Sequence, residues 1–359
     1  MYDAIIVGAG VAGSAIARSL EGFNVLILEK NKKAVPKDSG IVSSRFMEYY
    51  GRRFVKHDIA EMELISRSRN FFLRGEKPFA HILHREKFAE YLLGESKKTA
   101  ELRNETLVSV RVDSEKVTAV TGNSSYEGKI VIGCDGASSV VRKCAGIAPP
   151  KLSVGVMVRG SGVKEGHIRT FFNKDYSPDF FSWIIPQSDE YGLMAGAGSG
   201  ECLTRFSSEQ GLGNGKTYAY MVPTGMTRSY SERCLLVGDA CGQNKPLTGG
   251  GIIFSLIGAK HATAAIRACL GKNRFGMKML SSYEKSWKAE ISWEIRKQLF
   301  VRRAYSRMDN DGIDRIFSDF GSHMEKLRNF DYDKFSRAWT HLPKAKLAKF
   351  ALSNMHLLF

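Results

Sequence analysis

An α/β fold with an antiparallel sheet set between two nucleotide-binding segments, and a helical end, is predicted by three observations. A strand, a glycine turn and a helix open the chain. A second strand, glycine and helix block occupies residues 235–270, and short β-rich runs fill about 150–227 between them. At 359 residues the chain can bury a sizeable core, and two domains with one of them discontinuous in sequence is the natural expectation.

The opening element is Tyr2-Asp3-Ala4-Ile5-Ile6-Val7, an apolar β-branched run leading into Gly8-Ala9-Gly10-Val11-Ala12-Gly13 and then into a helix over residues 14–20. Gly8 permits a tight turn, Gly10 lets backbone approach a pyrophosphate, and Gly13 lets helix and strand pack closely. The N–H groups of the helix N-terminus face the anion. The next strand, Val25–Leu28, ends in Glu29, a carboxylate placed to accept from ribose hydroxyls. Strand, glycines, helix and terminal acid in this order are far more specific than GxGxxG alone.

The later block completes that site. Leu235-Leu236-Val237 reads as a buried strand running into Gly238-Asp239, whose carboxylate suits a ribityl chain. Gly249-Gly250-Gly251 then open a helix over 252–270, so bare amides and a positive dipole end can face a flavin pyrimidine, which is anionic when reduced. A nucleotide site built from both blocks points to FAD and not to NAD. Cys241, inside this block, is a candidate cofactor contact; the other cysteines, at 134, 144, 202, 234 and 269, read as small core residues with neither CxxC spacing nor a secreted disulfide framework. No metal site is indicated.

A third element is the strand Ile130-Val131-Ile132 ending in Gly133-Cys134-Asp135-Gly136-Ala137-Ser138-Ser139-Val140-Val141-Arg142, a DGxxSxxR turn. With the two blocks above it resembles the flavoprotein superfamily that contains the aromatic hydroxylases, the tryptophan halogenases and the geranylgeranyl reductases. The run from His84 to Leu92 is similar to that superfamily's RxxFxxxL helix, which implies that Arg85 lies against the cofactor; read alone, Arg85 is an ordinary exposed helix residue. The resemblance implies a Rossmann-type FAD-binding domain with an antiparallel-sheet substrate domain and a helical C-terminal region. Its boundaries are 1–147 and 228–272 for the two parts of the FAD domain, 148–227 for the substrate domain and 273–359 for the helical region. It implies cofactor contacts at Gly8, Gly10, Ala12, Gly13, Glu29, Lys30, Ser39, Gly40, Arg85, Val108, Asp135, Asp239, Gly250, Gly251 and Ile252.

Within the β-rich segment, Phe181-Ser182-Trp183-Ile184-Ile185-Pro186 resembles the aromatic-x-Trp-x-Phe-Pro motif of the geranylgeranyl reductases, with Ile185 at the usual Phe. Residues 2 to 290 follow that family's order of motifs. The resemblance implies Phe181, Trp183 and Pro186 as substrate contacts walling an apolar tunnel for an isoprenoid chain; the residues by themselves read as sheet core. The halogenase motif WxWxIP matches only in its second half, Phe181 standing at its first Trp. Ser39-Gly40 stands where the reductases carry a Cys-Gly pair, so any proton-donor role of that cysteine is absent and no catalytic residue is assigned.

The activity so implied is an FAD-dependent reductase saturating C=C bonds of geranylgeranyl chains, those of archaeal-type ether phospholipids, by hydride transfer from flavin N5 with protonation of the alkene. A monooxygenase or halogenase, a quinone-linked dehydrogenase, an RNA-modifying flavoprotein and a non-catalytic flavin or lipid binder are the alternatives. With no second GxGxxG unit, NAD(P)H visiting transiently or a ferredoxin is the expected electron donor.

Net charge is +16, and half of the excess falls in 271–359, where 18 Lys and Arg face 10 Asp and Glu. That balance suits anionic lipid or phosphorylated substrates as well as plain solvation. Nucleic acid is not expected, because no recognised RNA-binding motif accompanies the charge. Leu347, Phe350, Ala351, Met355 and Leu358 share one helical face flanked by Lys344, Lys346 and Lys349, which reads as a docked last helix or a peripheral membrane contact. Met1 is followed almost directly by the first strand and no uninterrupted apolar stretch has spanning length, so a cytoplasmic chain, with or without contact to a membrane face, is expected.

Overall fold

The computed structural model describes residues 1–36, 38–163, 166–196, 198–334, 341–344 and 346. The amphipathic terminal face from Leu347 to Leu358 lies outside them. The chain divides into two compact units, Met1–Lys37 with His84–Leu152 and Pro223–Ile295, and Asp38–Leu83 with Ser153–Val222 and Arg296–Phe359.

In the first unit a six-stranded sheet runs in the order Tyr230–Ser231, Cys234–Leu236, Val131–Gly133, Ala4–Val7, Val25–Leu28, Glu101–Arg103. All pairs are parallel except the antiparallel one at the Tyr230–Ser231 edge. Ala4–Val7 and Val25–Leu28 are apolar and buried along their whole length, as strands covered on both faces must be. Helix Val11–Ser19 packs on Arg85–Thr99 and Ile252–Lys272. Ser96 stitches the first of these contacts, donating its hydroxyl to Ser14 at 2.8 Å. Beside the sheet, Leu107–Val112, Val117–Thr121 and Ser125–Gly128 form a small antiparallel sheet whose Leu107, Val117 and Ala119 join Ile5, Val7, Leu26 and Val131 in one core.

Ile252–Lys272 is the one described helix with the length and composition to cross a membrane. It is a core helix: Ile253, Phe254, Ile257, Ala262 and Ile266 are buried, and it packs on Val11–Ser19 and Met277–Trp287. It ends at Asn273, left-handed at φ 48°, a conformation asparagine adopts more readily than most residues. The four-residue spacing of Tyr283, Trp287 and Ile291 is that of a buried face, interrupted by a π turn over Lys288–Ser292 before Trp293–Ser306 begins.

The second unit holds a seven-stranded sheet ordered Lys216–Pro223, Leu152–Arg159, Glu190–Met194, Ser182–Ile185, Arg169–Phe171, Glu61–Ile65, Asn70–Arg74. The expected antiparallel pairing runs from Leu152–Arg159 to Arg169–Phe171. The sheet then extends beyond the sequence reading: Arg169–Phe171 pairs in parallel with Glu61–Ile65, the first strand of a hairpin that comes from residues 61–74. One face of the sheet carries Val158, Ile184, Tyr191 and Leu193, which form a core with Phe206 of helix Ser199–Glu209. The opposite face carries Met157, Trp183 and Gly192 in register. Helix Asn310–Met324 covers the outer hairpin, with Phe317 against Phe71 at 5.0 Å between ring centroids.

Candidate functional site

The N-terminal turn leaves no freedom at two of its glycines. Gly8 has φ 98°, and a Cβ there would stand 2.4 Å from the carbonyl oxygen of Cys134; a Cβ on Gly13 would stand 1.9 Å from that of Gly8. Gly10 differs: a Cβ on it would meet nothing within 4 Å. Gly10 also caps the helix Val11–Ser19, without any side-chain partner, so the open space lies over the free N–H groups of a helix start. Ala12 is buried just inside that helix.

Glu29 closes one side of this space. Its Oε2 accepts from the Ala9 N–H at 2.8 Å, and its Oε1 from the backbone and side chain of Asn31 at 2.9 and 3.0 Å. The carboxylate is therefore fixed against the turn itself, while Lys30 beside it is exposed. Arg85, read alone as an exposed residue, is only 7 % exposed at the first position of the helix Arg85–Thr99. Val108 is 60 % exposed on its strand.

The late block comes to the same place. A Cβ on Gly238 would lie 2.9 Å from Ser255 Oγ and 3.6 Å from Cβ of Ala12, which puts Gly238 between the first helix and the helix Ile252–Lys272. Asp239 faces the start of the latter: a Cβ on Gly251 would meet its Oδ1 at 3.1 Å. Gly251 caps that helix with no side-chain bond, and Ile252 is its first residue. Two blocks separated by more than two hundred residues thus form one cradle of glycines, helix starts and carboxylates.

Asp135 joins this cradle from the third strand. Its Oδ2 accepts from the N–H groups of Val140 and Val141 at 2.7 and 3.2 Å, so it caps the helix Val140–Cys144 together with Ser139. Its Oδ1 is buried with no partner among the described residues, and burial raises its carboxyl above the ordinary carboxylate value. An orphaned carboxylate oxygen, open space over Gly10 and two glycines with no room for a side chain fit a bound dinucleotide. Such a group would be held by Glu29 at one ribose, the Gly10 helix start at the pyrophosphate, and Asp239 with Gly250, Gly251 and Ile252 at the flavin.

Cys241 is not in that cradle. It is fully buried in the core beneath the sheet, its thiol donating to the Leu236 carbonyl at 3.2 Å. Burial raises the Cys134 and Cys241 thiols, so neither is a thiolate at neutral pH. Lys245 is the residue that sequence reasoning passed over. It is 3 % exposed, its N–H donates to the Gly250 carbonyl at 3.0 Å, and a Cβ on Gly250 would meet its Cε at 2.8 Å and its Nζ at 3.3 Å. A buried lysine therefore lies along the glycines that open the helix Ile252–Lys272. The available signal was a lysine inside a block otherwise buried.

Ser39 and Gly40 lie in the second unit. Gly40 has φ 75°, its N–H donates to Asp38 Oδ1 at 2.7 Å, and Arg159 Nη2 donates to the Asp38 carbonyl at 2.7 Å. The same Arg159 pairs with the fully buried Glu190 at 3.1 Å, whose other oxygen accepts from Trp183 Nε1 at 3.2 Å. Trp183 lies over its cross-strand partner Gly192, where a Cβ would stand 2.4 Å from the indole. Phe181 touches Trp183 at 5.6 Å between centroids and Phe180 at 5.2 Å. Pro186 is buried at the end of the strand. Trp183 is 7 % exposed, as sheet core is, while Phe181 is half-buried. Among the described residues no cluster of His, Cys, Asp and Glu is suited to a metal.

The chain is similar to known proteins over most of its length. The model of the family described as FAD binding domain matches residues 1–207. An uncharacterised protein of Methanocaldococcus jannaschii is 26 % identical, covering 92 % of this chain and 89 % of its own. Digeranylgeranylglycerophospholipid reductase 2 of Methanothermobacter thermautotrophicus is 27 % identical over 88 % of this chain and 90 % of its own. The crystal structure of a geranylgeranyl bacteriochlorophyll reductase-like protein from Thermoplasma acidophilum superimposes with a TM-score of 0.85 at 18 % identity, covering 99 % of both chains.

Proposed function

The chain belongs to the family of FAD-binding domains, with FAD as its cofactor, and from that premise we propose that it reduces C=C bonds in the geranylgeranyl chains of archaeal-type ether phospholipids. The observation that carries this reading is the end-to-end similarity to proteins named digeranylgeranylglycerophospholipid reductase. It is supported by the half-buried Phe181 beside Trp183, an apolar wall suited to an isoprenoid.

When bound and reduced, FAD supplies a hydride. An isolated trisubstituted alkene is a poor hydride acceptor, so a proton must reach it in the same event, and a dry apolar surface protects the tertiary cation from water. Phe181 and Trp183 provide such a surface in the second unit. The bond from Trp183 to the buried Glu190 fixes the indole plane, so the surface is rigid. In the first unit, Lys245 and the open start of the helix Ile252–Lys272 would supply positive potential to a flavin bound beside them, which suits the negative charge of its reduced form. NAD(P)H or a ferredoxin supplies the electrons in this reading, and contact with a membrane face would bring the lipid.

The test is anaerobic. Protein with bound flavin is reduced with dithionite, mixed with geranylgeranyl phospholipid, and the released chains are weighed by mass spectrometry. A gain of about two mass units per reduced bond, absent in Asp239→Ala, is expected. Unchanged chains from protein shown to hold reduced FAD would overturn the reading and favour an oxygen-dependent hydroxylase or halogenase activity.

A further inference from the structure

The aromatic wall of the second unit does not stop at Phe181. Phe180 packs edge-on against Tyr305 at 4.9 Å between centroids, and the Lys174 ammonium lies 4.0 Å from the centre of the Tyr305 ring. Trp183, Phe181, Phe180, Tyr305 and Lys174 therefore form one continuous run that is apolar at one end and cationic at the other. Arg302, one helical turn from Tyr305 on Trp293–Ser306, lies over Phe180 at 5.1 Å.

The cationic end has more positive charge than its own carboxylate balances. Arg302 is buried and bonds Asp179 at 2.7 Å and the Ser153 hydroxyl at 2.9 Å, which engages that carboxylate. Among the described residues Lys174 Nζ donates once, to the Pro178 carbonyl at 3.0 Å, and an ammonium has three N–H groups. Its backbone N–H is held by Asn310 Oδ1 at 2.8 Å, which fixes the base of the side chain. The Tyr305 hydroxyl is buried, in a residue 7 % exposed, and has no partner among the described residues. Leaving a phenol unpaired in this way costs stability unless a ligand satisfies it. Lys174 is only half-buried, so an anion can reach it.

We propose that Lys174 and the Tyr305 hydroxyl bind the phosphate of the lipid whose prenyl chain lies along Phe181 and Trp183, making this the headgroup subsite of the second unit. The inference rests on the prenyl reading above and names which lipids the protein accepts: those with an anionic phosphate near the chain, in preference to the neutral glycerol ether.

The test compares three probes on the full chain loaded with FAD: digeranylgeranylglyceryl phosphate, uncharged digeranylgeranylglycerol and inorganic phosphate, each by equilibrium binding. The wild-type protein is expected to hold the phosphate lipid at least about tenfold more tightly than the neutral one, as a charge-assisted hydrogen bond supports. Lys174→Met should remove that preference and leave the neutral lipid unchanged, while Lys174→Arg should retain it. Tyr305→Phe, which deletes a hydroxyl with no partner among the described residues, should leave the melting temperature unchanged or raise it and still weaken the preference. Equal binding of both lipids by the wild type, or a preference that survives Lys174→Met, overturns the subsite and leaves the prenyl reading standing. Binding of neither lipid overturns both. Inorganic phosphate binding as tightly as the phosphate lipid would show a general anion site and overturn the headgroup assignment.

Discussion

Arg142 and Ala240, 98 residues apart in sequence, are joined by a 2.9 Å hydrogen bond from the guanidinium Nη1 to the backbone carbonyl. Nη2 of the same side chain donates to Ala137 at 2.8 Å, so the turn that follows the strand Val131–Gly133 and the turn over Gly238–Ala240 are held as one piece. Arg142 is buried, and Arg142→Met would leave two carbonyls facing an apolar group, at about 1–3 kcal/mol for each left unsatisfied. The expected outcome is a lower melting temperature with a larger loss of FAD affinity, because the turn bearing Asp239 loses its anchor. Flavin absorbance of purified protein and calorimetry with and without added FAD measure both.

Gly10 and Gly13 lie in one motif and should fail differently when changed to alanine. At Gly13 the new Cβ meets the Gly8 carbonyl at 1.9 Å, inside rigid backbone, so Gly13→Ala is expected to yield little folded protein. At Gly10 there is open space and an ordinary φ of −75°, so the apoprotein should melt within a degree or two of wild type. FAD binding should nonetheless drop by about tenfold or more, since the added methyl occupies the approach to the pyrophosphate. Equal FAD affinity in Gly10→Ala and wild type would show that the pyrophosphate lies elsewhere.

That contrast also shows what could be read from the sequence. Gly8, Gly13, Glu29, Gly238 and Gly251 were recognisable because each answers a backbone need set by a short motif: a positive φ, a close approach, or an acid at a strand end. The first strand followed from the uninterrupted apolar run that holds Ala4–Val7. What escaped the reading depends on contacts between distant segments. The hairpin of residues 61–74 alternates apolar and polar residues like any small sheet, and nothing local says that Glu61–Ile65 will pair with Arg169–Phe171. Read without the resemblance, Arg85 gave no sign of its burial, nor Cys241 that its thiol would turn into the core, because one-residue rotations of a helix or turn decide both.

Glu190 is the acid on which the proposed substrate wall depends. It is fully buried, paired with Arg159 at 3.1 Å and bonded by the Trp183 indole. Glu190→Gln would leave the mostly buried Arg159 cation without its counter-charge, a change expected to cost about 3–5 kcal/mol. Replacing both, as Glu190→Gln with Arg159→Met, should recover part of that loss, since an uncompensated charge is then absent. Urea unfolding of the two variants checks the order. Because Arg159 also holds the Asp38 carbonyl, backbone amides near Gly40 should exchange faster in either variant.

Lys174 gives the proposed headgroup subsite a pH dependence of definite sign. Burial lowers its ammonium from 10.5 to about 8, with Arg302 pushing the same way and Asp179 opposing. Between about 8 and the unfolded value the folded protein binds fewer protons than the unfolded chain, so this residue makes stability rise with pH across that window; below about 8 its burial penalty is complete and constant. The charge runs the other way for a ligand: the cation is present below about 8 and fades above it. The preference for digeranylgeranylglyceryl phosphate over the neutral lipid should therefore be at its greatest near neutral pH, where the phosphate, with a second pKa of about 6, is mostly ionised, and begin to fall as pH passes about 8. Lys174→Met should show a small, flat ratio across the same range, and Lys174→Arg a large, flat one, because a guanidinium keeps its proton throughout. Binding ratios taken on both sides of pH 8 for the three proteins decide the point: a wild-type ratio that stays level to pH 10 would mean that Lys174 does not carry the phosphate.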